Sequence, residues 1–119
     1  MPTHADATDS MNSDFEELLK ALNASGVKYL VVDGYAVMLY TEPRYTKGLD
    51  VWVETSEQNA GAVDILMSIA AVRFEDAWPN RTQSRLGNEA AGFIGRDDLV
   101  KNKRASGRHI DLHDAELLE

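Results

Sequence analysis

Apolar and polar positions alternate along this chain with two periods, one helical and one extended, and the switches between them mark its elements. Phe15, Leu18, Leu19 and Leu22 fall on one face of a helix. Ser13 with Glu16 three residues later is a capping-box signal, and Gly26 suits the exit. A helix is therefore expected over 14–24. Val27 to Val32 is short and β-rich, so a strand is expected there. Gly34 permits a sharp turn into a short helix over roughly 35–41, which Pro43 closes. A second strand is expected from Leu49 to Glu54, with Leu49, Val51 and Val53 on one face and Trp52 on the other.

Beyond that strand the pattern reads two ways. Thr55 with Gln58 is a second capping box, which starts a helix near Ser56. The run AGAVDILMSIAAVRF either continues that helix, since Val63, Leu66, Met67 and Ala70 share a face, or breaks at Gly61 and runs as a strand from Val63 to Ser68. Phe74 to Trp78 is expected as a turn or short helical piece stopped by Pro79. Arg81 to Leu86 and Glu89 to Ile94 flank Gly87-Asn88, which predicts a hairpin. Helices are then expected from Arg96 or Asp97 to Ala105, ending near Gly107, and from Ile110 to Leu118. Strands and helices in this order make an α+β domain.

The chain's 119 residues suffice for one domain with a modest core. Residues 13–119 carry the periodic pattern. Residues 1–12 carry none, lack the basic and apolar regions of a signal peptide, and are expected to be a disordered lead-in. No apolar run approaches the roughly 20 residues of a membrane span. There is no cysteine, which removes disulfides and thiolate metal sites and fits a cytoplasmic protein. The net charge of -8 makes nucleic acid an unfavourable partner, because phosphate repels an acidic chain. Residues 96–108 run the other way, with more basic than acidic side chains, and that local patch suits a phosphate group.

Asp50 opens the second strand, where a carboxylate is costly unless it is paired, solvated or metal-bound. Asp111 and Asp114 lie three residues apart, on one helix face, and predict a salt-bridge network with Lys103 and Arg108 between the last two helices. The same four residues are equally placed to line a pocket. His109 and His113 are one turn apart, a spacing compatible with a metal ion but more usual in exposed histidines. Trp52 and Trp78 are expected as packing residues rather than as platforms for a base.

Four segments together carry a resemblance. YLVVDGYAV is similar to a strand, glycine turn and helix; RYTKGLDVWV to an Arg-x-Thr-x-Asp-x-Asp strand; VDILMSIAAVRFEDAW to a third-carboxylate strand; and GRDDLVKNKRASGRHIDLHDAELLE to a C-terminal Lys and Gly-Arg-x-x-Asp-x-x-Asp signature. The chain resembles the small bacterial nucleotidyltransferase-like proteins of the polymerase-β superfamily, which include minimal nucleotidyltransferases and the toxin partners of abortive-infection systems. The resemblance implies a truncated nucleotidyltransferase-like core, with a small mixed sheet and helices mostly on one face. It implies carboxylates holding Mg²⁺ around a nucleotide triphosphate, with Asp50 and Asp64 as catalytic and metal ligands. It also implies nucleotide contacts from Gly34, Tyr35, Arg44, Thr46, Lys103 and Arg108.

Two positions depart from that pattern. The first carboxylate of Asp-x-Asp falls at position 48, which is Gly48, and the first of the paired glycines falls at position 33, which is Asp33. The segment between Asp50 and Asp64 is also shorter than in the family, as if a helix and a strand were missing. The expected function is a degenerate nucleotidyltransferase-like protein without catalysis, retaining at most weak nucleotide or partner binding. The alternatives are an active Mg²⁺-dependent enzyme that moves a nucleoside monophosphate to a protein or small acceptor, and a non-catalytic oligomeric interaction module. Loss of cover over Val63, Ile65, Leu66, Met67 and Ile69, with Val51 and Val53 beside them, predicts a homodimer whose interface includes residues 60–72.

Overall fold

The structure, a computed structural model, describes residues 13–44, 48–54 and 69–119. The expected lead-in over 1–12, Thr46, Asp64, and residues 56–68 of the helix-or-strand choice over 56–70 lie outside the described residues; at its end Ile69 bridges Val72 across a turn, so a helix does not run through Ala70. The elements are helix α1 (Ser13–Ser25), strand β1 (Tyr29–Val32), helix α2 (Asp33–Tyr40), strand β2 (Asp50–Val53), a single helical turn α3 (Phe74–Ala77) running into a 3₁₀ turn (Trp78–Asn80), strands β3 (Thr82–Leu86) and β4 (Glu89–Phe93), and helices α4 (Arg96–Ser106) and α5 (His109–Leu118). The strands form one mixed sheet in the order β2-β1-β4-β3. β1 runs antiparallel to β2 and parallel to β4, where Val31 lies beside Phe93.

β1 is buried along its whole length, and β2 is buried except at Asp50. Strands buried on both faces read as continuous apolar runs, which is what YLVV and VWV are. Trp52, expected to stand apart from Val51 and Val53, is as buried as they are. Its ring meets Phe74 edge-on at 5.0 Å, and Phe74 stacks on Trp78 at 5.7 Å. Both tryptophans are thus packing residues. Val51 and Val53 are covered within the chain itself, which corrects the expectation that they belong to an apolar patch left open.

Local chemistry explains the boundaries. Gly87-Asn88 makes the two-residue turn of the β3–β4 hairpin, with Leu86 opposite Glu89. Gly87 holds a φ of +61°, a left-handed conformation that favours glycine, and a Cβ there would also make the Glu16 carboxylate shift. That Glu16 carboxylate accepts the backbone N–H of Asn88 at 2.9 Å and ties α1 to the hairpin. Pro79 does not end the helical piece before it. It sits early in the 3₁₀ turn, where its missing N–H costs nothing. On α1, Asn23 Nδ2 donates to the Ala90 carbonyl at 2.9 Å, and its Oδ1 accepts the Tyr29 hydroxyl at 2.9 Å. Burial, Glu89 and a smaller opposing effect of Asn23 leave that phenol pushed up to about 12.

Candidate functional site

The site grows from the end of β1. Val32 lies opposite Asp50 in the β1–β2 ladder, so the chain delivers Asp50 beside Asp33, the first residue of α2. Asp33 has a φ of +60°, in the left-handed region that favours glycine. The sharp turn expected at Gly34 therefore falls one residue earlier, on a side chain that carries charge. The turn also starts α2 at Asp33 rather than near residue 35.

Asp33 holds this conformation against a cation. Lys103, on α4 and only 3% exposed, places its Nζ 2.5 Å from Asp33 Oδ1, 3.3 Å from Asp111 Oδ1 and 3.5 Å from Asp114 Oδ2. Asp111 and Asp114 are themselves buried on the inner face of α5. A buried carboxylate needs both a counter-charge and hydrogen bonds. Asp114 obtains them from Arg44, whose guanidinium forks onto it with Nη1 to Oδ1 at 2.6 Å and Nη2 to Oδ2 at 3.0 Å. Arg44 is raised above its ordinary value, chiefly by that hydrogen bond. Asp111 takes its second partner from Arg108, Nε to Oδ2 at 2.7 Å. Burial would push the Asp111 carboxyl up, but Arg108 and Lys103 outweigh it and hold it below its ordinary value.

Asp50 stands at the outer end of this array. Its carboxyl is exposed on one side, while desolvation on the other raises its pKa, with the charge of Asp33 and a side-chain hydrogen bond between the two carboxyls adding to the rise and Lys103 opposing it. Asp50 therefore holds a proton more readily than an isolated aspartate does.

The array thus brings together Asp50, Arg44, Lys103 and Arg108 of the sequence-derived candidates, and Gly34 lies next to Asp33. Tyr35 is elsewhere: it is buried, with its ring edge-on to Phe15 of α1 at 6.4 Å. The pairing of Lys103 and Arg108 with the α5 aspartates follows the i, i+3 reading. Asp33 as the nearest anion to Lys103, and Arg44 as the fork on Asp114, do not; the one sequence signal for Asp33 was a carboxylate where the resemblance places glycine.

Asp64, the second expected metal ligand, lies outside the described residues, so only part of the expected donor set is described. A Mg²⁺ ion draws on one or two free carboxylates together with phosphate oxygens. Here the ammonium of Lys103 already lies on Asp33, and Gly48 supplies no ligand. Among the described residues, no three His, Asp or Glu side chains are grouped to hold a metal ion. His109 and His113 are both exposed on the outer side of α5. In comparisons with known proteins, no family model and no curated protein matches this chain.

Proposed function

We propose that this chain is a degenerate nucleotidyltransferase-like protein, catalytically silent, in which an internal ion network stands in place of the nucleotide and metal site. The observation that supports the reading is Asp33. A left-handed φ on a non-glycine residue costs about 1 kcal/mol, so the position is one that glycine suits and aspartate tolerates. The resemblance puts a phosphate-facing glycine there. In this chain the same position presents a carboxylate to Lys103 at 2.5 Å. An internal anion is thereby set where a substrate phosphate would need the lysine. Gly48 adds to this, because its missing side chain is the carboxylate that would complete a metal pair with Asp50.

The test is transfer from labelled ATP, GTP, CTP and UTP with Mg²⁺ or Mn²⁺. No labelled product is expected. A product that disappears in Asp50→Asn overturns the reading in favour of an active enzyme. Calorimetry with Mg²⁺-ATP sharpens it. Asp33→Gly removes one of the three anions on Lys103, and a Cβ at Gly48 meets nothing within 4 Å, so Gly48→Asp has room for its first carbon. The double variant is expected to bind Mg²⁺-ATP more tightly than the native chain. A folded double variant with no gain overturns the assignment of positions 33 and 48.

A further inference from the structure

We infer that α5 is a hinged strap closed by charge: it lifts off α4 and α2 as a unit, turning about Gly107 while the sheet stays folded, and its lifting bares Lys103. The inference concerns the ion network alone and holds whether or not the chain is catalytically silent. Two helices are seated by different forces. α1 sends Phe15, Leu18, Leu19 and Leu22 into or against the apolar core, whereas α5, among the described residues, sends Leu118 alone. Of the other buried side chains of α5, Ala115 is small and Asp111 and Asp114 are carboxylates, while Ile110, Leu112 and Leu117 stay exposed. An element that buries little apolar area opens at a lower free energy than the core strands do.

Ion pairs supply the rest of the seat. Lys103 of α4 reaches Asp111 and Asp114, Arg44 forks onto Asp114 from beyond α2, and Arg104 of α4 pairs with Glu119 just past α5. Arg108, at the entry to α5, faces Asp111 from the solvent side. Across the network stand Asp33, on Lys103, and Asp50 beside it. His109, His113 and Glu116 of α5 are exposed. Despite its burial, the Asp111 carboxyl is held below its ordinary value by Arg108 and Lys103. The docking it gives is therefore complete above the ordinary carboxylate range and is lost as pH falls. Apolar seating such as that of α1 has no such dependence. The joint suits the motion. Only Gly107 and Arg108 separate α4 from α5. Gly107 holds a φ of +75°, and the nearest atom to a Cβ built there is Ala105 O at 3.9 Å, so the backbone turns in open space.

The experiment is hydrogen exchange of the full chain, read by mass spectrometry as protection relative to intrinsic rates. At pH 7 the amides of α5 are expected to be roughly tenfold or more less protected than those of β1 and β4. The gap is expected to widen as pH falls to about 4. Asp114→Asn keeps the side chain's shape and removes its charge. It is expected to lower the protection of α5 by roughly tenfold again and to leave β1 and β4 unchanged. Acylation of Lys103 by an amine-reactive ester is expected to speed up in the same variant. Equal protection of α5, β1 and β4 in the native chain overturns the inference, and that arm needs no variant to fold. An Asp114→Asn chain whose β1 and β4 loosen as much as α5 overturns it too, because α5 then opens only with the whole fold. Lys103 that stays unreactive while α5 exchanges overturns its baring. His109→Gln with His113→Gln is expected to keep the pH dependence, and its loss overturns the role of the carboxylates.

Discussion

Lys103 and Arg81 are both withdrawn from water, one wholly and one partly, and they are held by opposite means. Lys103 sits among carboxylates from α2 and α5, with three anions within 3.5 Å of its Nζ. Arg81, just before β3, sits over an aromatic ring, its guanidinium carbon 3.8 Å from the Trp78 centroid, with one Nη donating to the Trp78 carbonyl at 2.8 Å. Its Nε is buried and, among the described residues, has no hydrogen-bond partner. The first arrangement joins three helices through charge. The second fastens one turn to itself. The difference teaches where stability is concentrated: the lysine has partners that would be stranded without it, and the arginine has none.

Removing the lysine should therefore have the largest effect. Lys103→Met fills similar space but leaves Asp111 and Asp114 buried with one counter-charge fewer. A loss of about 3–5 kcal/mol is expected, as for a broken buried pair, and urea denaturation followed by circular dichroism measures it. Arg44→Ala comes next. It removes both hydrogen bonds to Asp114, yet Lys103 remains 3.5 Å away, so about 2 kcal/mol is expected, in line with lost charged hydrogen bonds. A loss equal to that of Lys103→Met would mean that Lys103 gives Asp114 no support.

The third expectation concerns pH and has the opposite sign. Asp50 binds its proton more tightly in the folded chain, so ionisation weakens the fold as pH rises through its raised value. Asp50→Asn should raise the melting temperature at pH 7, and the gain should vanish below about pH 4, where the unfolded carboxyl is also protonated. Asp111 behaves conversely. Its lowered value gives stability that is complete above the ordinary carboxylate range and is lost as pH falls. A melting profile of Asp50→Asn parallel to the native one at every pH would show that Asp50 does not hold its proton more tightly in the folded chain. The smallest effect is expected at the aromatic site. Arg81→Met gives up a cation–π contact and a carbonyl hydrogen bond but also removes the unpartnered Nε, so the change should stay within about 1 kcal/mol. Arg108→Ala should weaken the fold little, because the arginine is 70% exposed at its pair with Asp111.

Periodicity carried much of the fold. The face of α1, the extents of α4 and α5, the β3–β4 turn and the cores of β1 and β2 follow from spacing and turn residues, whereas Ile110, expected among the apolar positions of α5 with Ala115 and Leu118, is exposed. It could not carry the parallel pairing of β1 with β4, because nothing local in Val31 records that its neighbour is Phe93. The start of α2 was missed for a related reason. A left-handed residue before a helix is read from glycine, and here an ion pair to a distant lysine holds an aspartate in that state. In the site, the i, i+3 spacing of Asp111 and Asp114 was legible because both lie on one helix. The fork from Arg44 to Asp114 spans most of the chain, and no pattern of spacing encodes it.

The parallel pair at the centre of the sheet also sets an order of events during synthesis. β1 emerges early, but its second neighbour is β4, and the lysine that neutralises Asp33 lies beyond β4 on α4. Until those residues leave the ribosome, the growing chain holds an open strand edge beside two adjacent, uncompensated carboxylates. Contacts of such long sequence separation close late and slowly. The charge of Asp33 is therefore met by Lys103 only after β4 has been made.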